Sequence, residues 1–341
     1  MYRLLAYLQL TRAALAFTAI ADAWAVLLLR LPPERGGPAV EPSMGWTILQ
    51  MLVVSVVSAG LYGFGMSLND LLDARHDRLF APRRPIPSGR IAPRTAIVVA
   101  LFLLMVSLLA AAMLSGLMGS ETGDWLPWPF FFTFATAILV VTYDAFTKYL
   151  GAIGILTLGA VRSLHCLIGQ PKTPLLFISM FLLTHIFLVT LVAYRWENKR
   201  PRLGRGDVTL GVLGLLLGNA MALWYMYHRG TFFKDVWVML VGPMAAAMIF
   251  IVWALILWRR TDVSPRQKGG RLMLLGLFWL FVYDASMLFS NGQWRAGIAV
   301  VLLFICALSS FFALRTLGRM VSAHAEYRLE RAEGAEAAGG G

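Results

Sequence analysis

Ten stretches of about twenty mostly apolar residues follow one another along the chain, the length a helix needs to cross a bilayer core. They fall near residues 11–29, 46–68, 95–118, 126–145, 149–169, 174–194, 208–227, 235–258, 272–290 and 296–314. In hydrocarbon a backbone must satisfy its own N–H and C=O groups, and a helix does so within one segment. The chain is therefore expected to be all-α, a polytopic membrane bundle of nine or ten transmembrane helices. Composition agrees: 59% of residues are hydrophobic and 14% charged, where a soluble domain has about half and about a quarter. The ninth and tenth bands are the least separable, because Asp284 interrupts one and only Asn291 to Arg295 divide them. The first band resembles a secretory leader in position, but no small-residue cleavage pattern follows it and Leu31-Pro32-Pro33 reads as a helix stop, so it counts as a span. Residues 1–331 form one expected domain, and 332–341 a low-complexity tail expected to be disordered.

The 30 Lys and Arg against 18 Asp and Glu give a net charge of +12. In a soluble protein that excess suggests nucleic acid; here it reads as topology, and no nucleic-acid partner is expected. With the bands alternating in direction, 23 cationic residues fall on the side of the amino terminus, six on the other, and Arg162 lies inside a band. Lys and Arg near helix ends stay cytoplasmic, so an integral protein of a bacterial inner membrane is expected, with both termini and the charged loops inside. Cys166 and Cys306 sit far apart in apolar runs, which excludes a disulfide framework or a CxxC site.

Where the second band ends, the chain reads Asn69-Asp70-Leu-Leu-Asp73-Ala-Arg-His-Asp77-Arg78. A continuing helix would put the three carboxylates, at offsets 0, 3 and 7, on one face. Stacked like charges need a counterion, and hard oxygen donors suit Mg²⁺, which completes its shell with water and phosphate. The plainer reading is a solvated loop in which the acids pair with Arg75 and Arg78. Next comes Arg83-Arg84-Pro85-Ile86-Pro87-Ser88-Gly89-Arg90, guanidinium forks suited to phosphate on a stretch stiffened by proline.

Asn-Asp-x-x-Asp-x-x-x-Asp at a helix end, followed by Arg-Pro-x-Pro-Ser-Gly-Arg, resembles the first aspartate-rich motif of the UbiA superfamily of intramembrane prenyltransferases. The resemblance implies a helical membrane enzyme that binds a polyprenyl diphosphate through Mg²⁺ and moves the prenyl group to a hydrophobic acceptor, aromatic or lipid. It implies that Asp70, Asp73 and Asp77 hold metal, that Asn69 orients them, and that Arg83 and Arg84 hold diphosphate. Tyr143 and Lys148 close the fourth band, where a Tyr with a nearby cation is commonly an interfacial anchor. By resemblance Lys148 contacts diphosphate, and Tyr143 faces the prenyl chain or its developing cation.

Arg162, in Gly159 to Gly169, is a charge within an apolar helix. Two readings stand: an ion pair with Asp22 or Asp284, or contact with substrate. Asp22 and Asp284 are themselves either partners of Arg162 or bases acting on an acceptor. The sequence departs from the family at its second aspartate-rich motif. The corresponding turn reads Tyr194-Arg195-Trp196-Glu197-Asn198-Lys199-Arg200. Glu197 is left as a metal ligand, and Lys199 as a cation for diphosphate. That departure leaves open a UbiA-like protein without catalysis, or one tied to transport, that binds an isoprenoid or an anionic lipid. Membrane lipids are partners on either reading.

Overall fold

A computed structural model of the protein describes residues 2–29, 43–122, 127–169, 176–199, 202–229 and 235–339, with side chains to Met320. All described secondary structure is helical. α1 (Tyr2–Leu10) and α2 (Ala13–Leu28) form one span bent by 44°. α3 (Met44–Leu72), α5 (Pro93–Thr122), α6 (Trp128–Ala145), α8 (Leu176–Trp196), α9 (Arg205–His228), α10 (Asp235–Arg259), α11 (Pro265–Ser290) and α12 (Trp294–Gly339) carry the eight long apolar spans. α4 (Ala74–Phe80) extends α3, and a 3₁₀ turn (Thr147–Tyr149) leads into α7 (Ala152–Cys166). At 15 residues and about 1.5 Å per residue, α7 is shorter than a full bilayer core. Each expected band thus coincides with a helix, although one is bent and one is short.

Helices α2, α3, α6, α7, α8 and α11 pack in sequence into a closed ring, and α5, α9, α10 and α12 pad its outside. Burial follows that order: 56% of the apolar window of α3 or α11 is buried, against 11% for α9. α2 reaches α3, α7, α11 and α12 because its inward residues are small. Ala14, Ala16, Ala19, Ala21, Ala23 and Ala25 are all buried, and small side chains let helix backbones approach in a membrane. Both cysteines are free, Cys166 buried and Cys306 on the lipid-facing surface.

One expectation changes, and another falls outside the described residues. The backbone of α12 is helical to Gly339, where low complexity suggested disorder; Ala and Glu, six of the ten residues of 332–341, are strong helix formers. The stop at Leu31 to Pro33, like Arg200 in the cationic turn, lies outside the described residues.

Candidate active site

The acids lie where α3 ends. Asp73 closes α3 and opens α4, while the backbone ladder continues through it: Asp73 N–H donates to Asn69 O at 2.9 Å and Asp77 N–H to Asp73 O at 2.8 Å. With about 3.6 residues per turn, offsets 0 and 7 nearly superpose and offset 3 falls roughly 60° away. The three carboxylates accordingly divide. Asp70 and Asp77, both buried, share Arg84, whose Nη1 donates to Asp77 Oδ2 at 2.6 Å and Asp70 Oδ1 at 3.3 Å. Asp73 turns the other way and accepts from Lys148 Nζ at 2.7 Å. Neither Arg75 nor Arg78 takes part in these pairs; the solvated-loop reading gives way to contacts from other elements.

Two participants were missed at the sequence level. Arg12 stands at the bend between α1 and α2 in a left-handed conformation (φ 47°), and its Nη2 donates to Asp70 Oδ1 at 3.3 Å. Asp144, buried one turn before Lys148, meets Asp73 through Asn69, whose amide NH₂ faces Asp144 Oδ1 at 3.0 Å and Asp73 Oδ2 at 3.3 Å. The turn spacing of Asp144 and Lys148 was a usable signal for Asp144. Nothing local marked Arg12. Tyr143 lies within electrostatic reach of Asp73, Asp144 and Arg12. Burial works to lower the Lys148 pKa, but the Asp73 hydrogen bond and the charges of Asp73 and Asp144 outweigh it and hold the ammonium above its ordinary value.

The Arg-rich loop is built rather than slack. Ile86 and Ile91 are buried against Ala6 and Leu10 of α1. Arg90 ties the loop together, donating to Gln9 Oε1 at 2.7 Å, Arg83 O at 2.6 Å and Ser88 Oγ at 3.0 Å. Gly89, at φ 73°, supplies the turn. Gln9, Arg12, Asp70, Arg83 and Arg84, with Phe80 and Pro82, line a cavity of about 500 Å³ at this end of the bundle.

Asp70 keeps one carboxylate oxygen open to a cation such as Mg²⁺. Both guanidinium groups contact the same oxygen of Asp70, Oδ1, which leaves Oδ2 available. Among the described residues no group of three or more acids, His or Cys is placed to hold a metal ion, because Asp73 diverges from Asp70 and Asp77. An open set suits an ion that takes one or two carboxylates and fills its shell with water and phosphate oxygens.

Glu197 and Arg162 stand apart from this cluster. α8 ends at Trp196 and Asn198 turns left-handed (φ 50°), so Glu197 lies over Gly269 of α11 and pairs with Lys199 at 2.9 Å. Glu197, expected as a metal ligand, and Lys199, expected as a cation for diphosphate, meet each other in this structure. Arg162 forms a buried ion pair with Asp22, and Asp284 lies within hydrogen-bonding reach of Asp22. That triad links α7, α2 and α11. Tyr62 of α3 senses both Arg12 and Arg162, so the interior polar group lies behind the mouth.

Comparison with known proteins follows the same outline. The model of the UbiA prenyltransferase family matches residues 36–282. Over 172 residues the chain is 30% identical to the digeranylgeranylglyceryl phosphate synthase of Sulfolobus acidocaldarius, covering 45% of this chain and 57% of that protein. Over 275 residues it is 24% identical to the protoheme IX farnesyltransferase of Legionella pneumophila (strain Paris), covering 76% and 90%. The chain thus spans little more than half the length of the first of these relatives. A solved structure of a digeranylgeranylglyceryl phosphate synthase in membranes superposes with a TM-score of 0.56 at 17% identity, covering 86% of this chain and 100% of that one. The likeness is one of fold.

Proposed function

Because the chain belongs to the UbiA prenyltransferase family, we propose that it is an intramembrane prenyltransferase, moving a prenyl group from a polyprenyl diphosphate to an aromatic or lipid acceptor. The observation that carries this reading is the meeting of Asp70, Asp73, Asp77 and Asp144 with Arg12, Arg84 and Lys148 at one end of an apolar bundle. The names of the relatives, a synthase of digeranylgeranylglyceryl phosphate and a farnesyltransferase of protoheme IX, support it.

Breaking an allylic carbon–oxygen bond requires the leaving diphosphate to be stabilised and the carbon cation kept from water. Arg12, Arg84 and Lys148 are held by carboxylates that a diphosphate can displace, so they exchange one anion for another with little rearrangement. Arg83 adds a further fork from the cavity wall. Asp70 and Asp77 on one stripe and Asp73 on the other, with Asn69 and Asp144 fixing Asp73, would each offer a carboxylate to Mg²⁺, which when bound supplies Lewis-acid neutralisation of the diphosphate oxygens. Tyr143 borders the site and presents a ring to the prenyl chain. The apolar ring of helices excludes water from the cation. Asp22, held by Arg162, is a candidate to orient the acceptor's polar group. The asymmetry of Lys and Arg supports an orientation with the acids facing the cytoplasm.

The test is prenyl transfer by purified protein with Mg²⁺, farnesyl or geranylgeranyl diphosphate and a panel of phenolic, quinoid and glycerol-phosphate acceptors. Transfer that stops with EDTA and returns with Mg²⁺ is expected. Diphosphate binding with no acceptor modified would overturn the transferase reading in favour of a binding protein.

A further inference from the structure

Away from the polar mouth, an apolar groove of about 530 Å³ opens between α8, α10 and α11, within the size range of ligand pockets. Leu188, Val192 and Trp196 form one wall and Leu255 and Trp258 the other, with Leu272 contributed by α11. The polar groups behind the walls are already engaged. His185 Nε2 donates to Gly276 O at 3.1 Å, Tyr283 Oη donates to His185 Nδ1 at 3.0 Å, and Thr184 Oγ1 donates to Met180 O at 2.8 Å. The groove therefore asks its occupant for hydrocarbon alone.

Its mouth asks for something else. Arg195 lies three residues beyond Val192 and seven beyond Leu188, Arg259 four beyond Leu255, and Lys268 four before Leu272. Helical periodicity places all three cations on the groove-facing stripes of their helices. Lys268 Nζ donates to Trp258 O at 2.8 Å, which joins α11 to α10 at this rim. Arg195 and Arg259 are exposed and form no ion pair among the described residues. Trp196 closes α8 and Trp258 stands one residue before the end of α10, helix ends being where indole rings commonly mark a membrane interface.

We propose that this groove is a binding site for one anionic phospholipid, its acyl chain between α8 and α10 and its phosphate headgroup against Arg195 and Arg259. Charge complementarity selects the occupant: a zwitterionic lipid fills the groove equally well but leaves the two guanidinium groups without a net negative partner. The site is separate from the polar mouth and does not depend on the reaction proposed there.

Quenching of tryptophan by phospholipids brominated on the acyl chain tests this in the intact protein, reconstituted in phosphatidylcholine. Brominated phosphatidylglycerol is expected to quench the Trp196 and Trp258 component at a mole fraction about thirtyfold lower than brominated phosphatidylcholine, given two basic side chains at the surface. Trp196→Phe with Trp258→Phe identifies that component by removing it. Arg195→Gln with Arg259→Gln should abolish the preference, Arg195→Lys with Arg259→Lys should retain it, and Ala254→Phe, which fills the groove, should remove the quenching itself. Equal quenching by the two lipids would overturn the proposal, as would a preference that survives the glutamine pair. Displacement of the brominated lipid by geranylgeranyl diphosphate would also overturn it, because the groove would then be a substrate-tail site.

Discussion

At the scale of single residues, the site is a set of charges that restrain one another. Asp70→Ala or Asp73→Ala should lower prenyl transfer by about 10²–10³-fold, the usual cost of removing one preorganised electrostatic contact, measured as product formed per minute with farnesyl diphosphate. A variant retaining near-full activity would remove that carboxylate from the mechanism. The interior triad behaves differently. Arg162→Leu leaves Asp22 buried without its cation and should destabilise the protein by about 3–5 kcal/mol, seen as a lower midpoint of thermal unfolding in detergent. Changing Asp22, Arg162 and Asp284 together to Leu should recover most of that loss, because no charge is then left unpaired. Asp70, Asp73, Asp77 and Arg84 were legible from residue type and spacing, Lys148 only through the family resemblance, and Asp144 was missed. Arg12 was not legible either, since its partner Asp70 is 58 positions away and only the bend between α1 and α2 brings it there.

At the scale of elements, small breaks in helices do the positioning. A Cβ on Gly154 would meet Lys148 Cα at 2.9 Å and the Thr147 carbonyl oxygen, so only glycine lets α7 start beneath the 3₁₀ turn that carries Lys148. Gly154→Val should shift that turn, reducing transfer by about an order of magnitude or more, while helix content by circular dichroism stays unchanged. Wild-type activity in that variant would mean the turn tolerates displacement. The helices themselves were readable from apolar length. Their facing was less so: the acids were expected on one stripe, yet Asp73 diverges toward Lys148 because three residues fall short of a full turn. The ending of α8 was also out of reach of the sequence, and it is the left-handed Asn198 that commits Glu197 to Lys199 and Gly269.

At the scale of the whole molecule, the arrangement of charge predicts orientation. A cysteine introduced at Ser88 in the Arg-rich loop should react with a membrane-impermeant maleimide in inside-out vesicles and remain unlabelled in right-side-out ones. Labelling from the opposite side would invert the proposed topology. Chain length and apolar content by themselves determined that this protein is a helical membrane bundle, because a backbone surrounded by hydrocarbon has few ways to satisfy its hydrogen bonds. The acidic and arginine-rich motifs likewise raised the expectation of compensating charge, because like charges crowded on adjacent turns need it, and Arg12, Arg84 and Lys148 supply it in the structure. Which cation meets which acid was decided by tertiary structure alone. Those pairings depend on the bend at Arg12, the glycine under Lys148 and the ring order of six helices, and such geometry resides in packing between segments rather than in the period of any one of them.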